Sequence, residues 1–210
     1  MKVSSIKTNR AGTRRTEGFT LIEMIGVLAV IAILAALLLP KVFSAINDAR
    51  VNNAAVSAET IKTAVTDHYG KYGKLNSVFG TNDQTVAQLI AYDKTILMAE
   101  SLLDKPFATK IAGGDPSTNS IVHLVAGGSE NTAKGFLLDG NVATTTSNAQ
   151  FVVEAVLYNV SANDAKDLND RIDGVALGAG NVTSPDNKGR VEYAAPSAGA
   201  TDVYLYITGR

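Results

Sequence analysis

From Gly18 to Pro40 the chain reads GFTLIEMIGVLAVIAILAALLLP, an almost unbroken apolar run with one carboxylate, Glu23, near its start. About 20 apolar residues are enough to cross a bilayer as an α-helix. An ionised carboxylate at the centre of such a span costs roughly 2.5–3.5 kcal/mol, and less towards an end. A sequence that keeps one there implies a partner for it. Whatever this chain folds into has to satisfy Glu23.

Charge fixes the direction of the span. Before Phe19, Lys2, Lys7, Arg10, Arg14 and Arg15 are opposed by Glu17 alone, a net +4, whereas the rest of the 210-residue chain carries −5. A basic flank ahead of an apolar span keeps the N-terminus in the cytoplasm and sends the remainder across the membrane, a single pass. The mildly acidic exported part offers no basic face for nucleic acid. There is no cysteine, which excludes disulfides, thiol chemistry and Cys-type zinc sites. Residues 1–17 are polar, basic and aperiodic, so they read as a disordered cytosolic leader. The plain alternative is a secretory signal peptide cut near Ser44 and Ala45. Its apolar core, however, is normally only about 7–15 residues long.

Beyond Pro40, which removes one helical hydrogen bond and favours a kink or a loosened turn, the pattern stays helical. Val42, Ile46, Ala49, Asn53 or Ala54, Val56, Ile61, Ala64, Val65 and His68 fall on a stripe at three- and four-residue steps. Gly70 and Gly73 mark its end. This predicts one helix of about 50 residues, apolar all round in its first half and amphipathic in its second. Residues 74–210 must cover the stripe. Thr81–Ile90 and Asp93–Leu103 read as short helices, the second capped by Asp93. Ile121–Val125, Phe136–Leu138, Phe151–Tyr158, Arg190–Tyr193 and Val203–Ile207 read as strands. Ser161–Gly174 reads as a capped helix with Ala165, Leu168, Ile172 and Val175 on its apolar side. The simplest arrangement is an α+β fold in which about four antiparallel strands lie on the amphipathic half of the long helix.

No catalytic constellation is present. His68 and His123 have no spaced acid or second histidine and read as packing or surface residues. Gly127-Gly128-Ser129 lacks the nucleophile-elbow frame, and Gly178-Ala179-Gly180 lacks the third glycine of a dinucleotide loop. Asp164, Asp167, Asp170 and Asp173, with Asn163 and Asn169 among them, raise the question of calcium, as does the oxygen-rich loop from Asn181 to Gly189. The apolar stripe through the first set favours a helix with a solvated acidic face, and the loop favours a surface turn. No metal or other cofactor is called for.

The basic leader ending in Gly18, the run Phe19-Thr20-Leu21-Ile22-Glu23, the apolar stretch and Pro40 together closely resemble the type III signal and helix of type IV pilins and type II secretion pseudopilins. The resemblance covers roughly residues 14–72. It implies a pilin-like fold and a division into a cleaved leader (1–18), a transmembrane and filament-core segment (19–39), an amphipathic continuation (40–72) and an exported head (73–210). It also implies that a prepilin peptidase cuts between Gly18 and Phe19, and that Phe19 is then N-methylated. Glu23 would pair with the new terminal amine of a neighbouring subunit, and Pro40 would let the helix bend during assembly. The implied partners are further pilin copies, the peptidase, an assembly platform and, before assembly, inner-membrane lipids. The implied product is a type IV pilus or a secretion pseudopilus. Many type IV pilins close their C-terminal region with a disulfide, unavailable here, which shifts weight towards pseudopilins and cysteine-free pilins. A different class of protein, a signal-anchored periplasmic binding module that never polymerises, would keep the anchor but leave Glu23 without a partner.

Overall fold

The computed structural model describes residues 18–78, 82–83, 88–126, 136–138, 151–178 and 181–210; the leader, 1–17, lies outside them. Helix α1 runs from Leu21 to Tyr72, 52 residues without interruption, and passes through Pro40. It closes where expected: Gly73 adopts φ 69° and donates its N–H to the Tyr69 carbonyl at 2.7 Å, the left-handed cap that glycine accepts without steric cost. The chain divides into two compact units, Met1–Ser44 and Ala45–Arg210. The amphipathic part of α1 therefore belongs with the head.

In the second unit, α1 is followed by a two-stranded antiparallel pair, β1 (Ser77–Val78) and β2 (Asn82–Asp83). Then come β3 (Gln88–Leu89), a π-helical turn (Asp93–Leu97), the short helix α2 (Pro116–Asn119) and β4 (Ser120–Ala126). Strand β5 (Phe151–Ser161), helix α3 (Ala162–Ile172), β6 (Val191–Tyr193) and β7 (Ala200–Gly209) complete it. The main sheet has the order β3-β4-β5-β7-β6, antiparallel throughout. Four strands of three residues or more thus form the expected sheet, and two-residue β3 extends its edge.

The core lies where this sheet meets α1. Val51, Ala54, Ala58, Ile61 and Val65 form one buried cluster with Leu124, Val153, Ala155, Leu157, Val203, Leu205 and Ile207. Burying each Val, Leu or Ile side chain stabilises the fold by roughly 1.5–3 kcal/mol. The buried positions 51, 54, 58, 61, 64, 65 and 68 follow three- and four-residue steps apart from the adjacent pair 64 and 65, so the helix does present an apolar stripe, but not wholly the expected one. Val42, Ile46 and Val56 are exposed, Val56 by 58%. Val51 and Ala58 take their place.

Other expectations are corrected. Within the helix expected at Thr81–Ile90, Asn82–Asp83 and Gln88–Leu89 are strand, because Gln88 and Leu89 pair with Val125 and Leu124; residues 81 and 84–87 lie outside the described set. Asp93 does not cap an α-helix. It opens the π-helical turn, and its buried carboxylate accepts the Phe107 N–H at 2.8 Å. Phe136–Leu138 is not a sheet strand; Leu137 makes an isolated bridge to Lys188. Helix α3 is capped by Ser161, whose Oγ accepts the Asp164 N–H, and Ala165 and Leu168 are buried. Val175 lies beyond the end of α3 and is exposed.

The register of α1 against the sheet is checked by two substitutions in the full chain, with stability measured by denaturant unfolding. Ile61→Ala should cost about 2–5 kcal/mol, as large-to-small core changes do. Val56→Ala should stay within about 0.5 kcal/mol, the usual range for a surface position.

Candidate functional site

The start of α1 is built from three side chains and a glycine. Thr20 precedes the first helical residue, and its Oγ accepts the Glu23 N–H at 3.3 Å. Glu23, three residues on, reaches back: its Oε2 accepts the Thr20 backbone N–H at 2.7 Å and the Thr20 hydroxyl at 2.8 Å. This reciprocal arrangement satisfies two of the orphan donors at a helix N-terminus. It also sets the carboxylate at the positive end of the helix dipole. The anomalous carboxylate therefore has a local role within its own chain. Thr-x-x-Glu at the head of an apolar run is the sequence signal for such a cap. Read purely as an intramembrane charge, Glu23 conceals it. Oε1 has no hydrogen-bond partner among the described residues.

Gly18 and Phe19 lie just outside the cap, in non-helical backbone. A Cβ placed on Gly18 would meet no atom within 4 Å, and its φ is not in the left-handed region. The fold of the described residues thus gives no steric reason for glycine there. Phe19 is 80% exposed, and the large apolar residues of α1 from Leu21 to Ile46 are exposed with it. By length and composition α1 can cross a membrane. An apolar surface this extensive needs a cover from outside the chain, lipid or protein. Further along, Pro40 has no N–H to offer the Ala36 carbonyl. Ser44 Oγ donates to the Lys41 carbonyl at 3.1 Å and to that of Pro40 at 3.4 Å.

The remaining candidates serve the head. His68 and His123 are both buried, and each faces a glutamate. His68 Nδ1 lies 2.7 Å from Glu100 Oε2, joining α1 to the segment after the π-helical turn. His123 Nδ1 lies 3.6 Å from Glu154 Oε1, across the β4–β5 ladder. Of the acids around α3, Asp170 pairs with Lys166. Asp173 accepts the N–H groups of Arg190 at 2.9 Å and Val191 at 2.8 Å. Gly189, at φ 82°, allows that approach, since a Cβ there would sit 2.5 Å from the Asp173 carboxyl. In the loop Asn181–Gly189, Asp186 accepts from the Asn169 amide and from the Lys188 N–H. Among the described residues no group of three or more His, Asp or Glu is placed to hold a metal ion.

Residues 13–39 match the family model of the prokaryotic N-terminal methylation motif, a segment that contains Gly18, Phe19 and Glu23. The chain is similar to a type IV major pilin protein of Neisseria gonorrhoeae, 45% identical over 58 residues, 28% of this chain and 35% of that one. It is also similar to a fimbrial protein of Neisseria meningitidis serogroup B, 43% identical over 58 residues, 28% of this chain and 34% of that one. The chain thus covers about a third of the length of these relatives. No solved structure matches it.

The two buried pairs give separate expectations. Removing one partner of a buried pair typically costs about 3–5 kcal/mol, so His68→Leu should destabilise the head by that order in denaturant unfolding. His68→Leu combined with Glu100→Leu should cost less. The Glu154 carboxyl is held above its ordinary value, chiefly by burial and against the opposing pull of His123. A carboxyl raised on folding contributes stability that is fully present below its unfolded pKa and is lost as pH rises through the folded value. Glu154→Gln should therefore flatten that part of the stability–pH profile, above the ordinary carboxylate range, in unfolding curves taken across pH.

Proposed function

We propose that this chain, whose N-terminal segment belongs to the type IV pilin family, is a structural subunit of a type IV pilus or pseudopilus. It would be held in the inner membrane by α1 and then polymerised through it. The observation that carries this reading is the joint occurrence of the methylation motif with an apolar, wholly exposed helix start whose one carboxylate has an oxygen without a hydrogen bond among the described residues. The processing site is the bond between Gly18 and Phe19. Nothing in the packing of the described residues requires glycine at position 18, which favours a requirement set by another protein, the peptidase. Cleavage creates a cationic amine on Phe19, and methylation leaves it cationic. Glu23 of a neighbouring copy supplies the counter-charge, because a carboxylate brought into an apolar bundle is tolerable only when paired. Pro40, with its missing N–H, gives the helix a weak point for adjusting to its neighbours.

The same apolar surface serves twice in this scheme, facing lipid before assembly and other helices after it. The head, Ala45–Arg210, forms the outer surface. A secretion pseudopilus is the second reading, favoured by the absence of cysteine; the similarity to pilins of two Neisseria species favours a surface pilus. The role is structural rather than catalytic.

Intact-mass measurement of the membrane-extracted protein tests this directly. The expected mass corresponds to Phe19–Arg210 plus one methyl group. Gly18→Leu should accumulate as the full-length precursor. A wild-type protein that keeps its first 18 residues would instead support a permanent anchor on a non-polymerising module.

A further inference from the structure

Resting on the pairing reading above, we infer that Thr20 is the positioning residue for Glu23 in assembly. The geometry assigns the two carboxylate oxygens different duties. Oε2 is fixed by two donors from one residue, the backbone N–H and the hydroxyl of Thr20, at 2.7 and 2.8 Å. That pair folds the glutamate back along the helix towards Phe19, against the direction in which an unconstrained exposed side chain would wander among rotamers. Oε1 carries no hydrogen bond from the described residues and is the oxygen available to an incoming amine. A charge-assisted N–H···O bond needs its partner within about 2.7–2.9 Å, so a carboxylate already oriented avoids ordering at the moment of docking. The same two donors stabilise the charge while the subunit waits in the membrane without a neighbour.

Three features separate this from simple helix capping. The backbone N–H at position 20 survives any substitution except proline, whereas the hydroxyl donor does not. Serine keeps the hydroxyl. Glycine caps a helix nearly as well as threonine but has no hydroxyl to hold the carboxylate.

The test uses the full chain with Thr20→Val, Thr20→Gly, Thr20→Ser and Glu23→Ala. Processing is read by intact mass, membrane content by fractionation and filament yield by shearing and quantification. Thr20→Val and Thr20→Gly should be cleaved and inserted like wild type but yield at least about tenfold fewer filaments, the scale of one lost hydrogen bond to a charged group. Thr20→Ser should restore the yield. Wild-type yield from Thr20→Gly would reduce Thr20 to a cap and overturn the inference. So would failure of serine to rescue, or loss of the valine and glycine variants before processing. If Thr20→Val assembles normally while Glu23→Ala does not, positioning fails and pairing stands. If Glu23→Ala also assembles normally, the pairing reading itself fails.

Discussion

A carboxylate three residues into an apolar helix must be satisfied at every stage of the protein's life, and that requirement organises the rest of the structure. In the isolated chain Thr20 meets it, through two donors to one oxygen and the positive end of the helix dipole. This arrangement is local and needs neither lipid nor partner. Among the described residues nothing binds the second oxygen, the one that the proposed assembly would share with a neighbour. In the proposed filament the cost of a charge near hydrocarbon would be met first by the chain itself and then by a neighbouring copy.

From Val51 onward a narrow seam of α1 is covered by the sheet, whereas residues up to Arg50 stay exposed. That seam includes two alanines, Ala54 and Ala58, alongside Val51, Ile61 and Val65. Of two buried histidine–glutamate pairs, His68–Glu100 joins the far end of α1 to the segment after the π-helical turn, and His123–Glu154 joins β4 to β5. Buried pairs of this kind add little net stability but penalise any packing that separates the partners.

Much of this was legible in the sequence, and the failures have physical causes. The limits of α1, the sheet strands rich in Val, Leu and Ile, and the Ser161 cap of α3 all carry strong local signals. The stripe of α1 was right from Ile61 to His68 but missed Val51 and Ala58, while Val42, Ile46 and Val56, apolar and at helical spacing, are exposed. Asp93 resembles a cap, yet it accepts from Phe107, 14 residues away and beyond Pro106. No local pattern encodes such a bond. Gln88–Leu89 is strand only because β4 offers it a register. At the candidate site, Gly18, Phe19 and Glu23 stood out at once, but Thr20 did not. The charge of Glu23 drew the search outward, whereas its first partner lies three residues upstream.

The central claim is that Glu23 of one copy meets the Phe19 amine of another. It is tested most directly by solid-state NMR on filaments grown from a mixture of two pools, one carrying ¹⁵N-labelled phenylalanine and the other ¹³C-carboxyl-labelled glutamate. With the labels confined to different copies, only an intermolecular approach can couple them. The account predicts dephasing of the Glu23 carboxyl signal by the Phe19 nitrogen at a separation of about 3–4 Å, as in an ion pair. A Glu23 signal that shows no dephasing in well-ordered mixed filaments would contradict it.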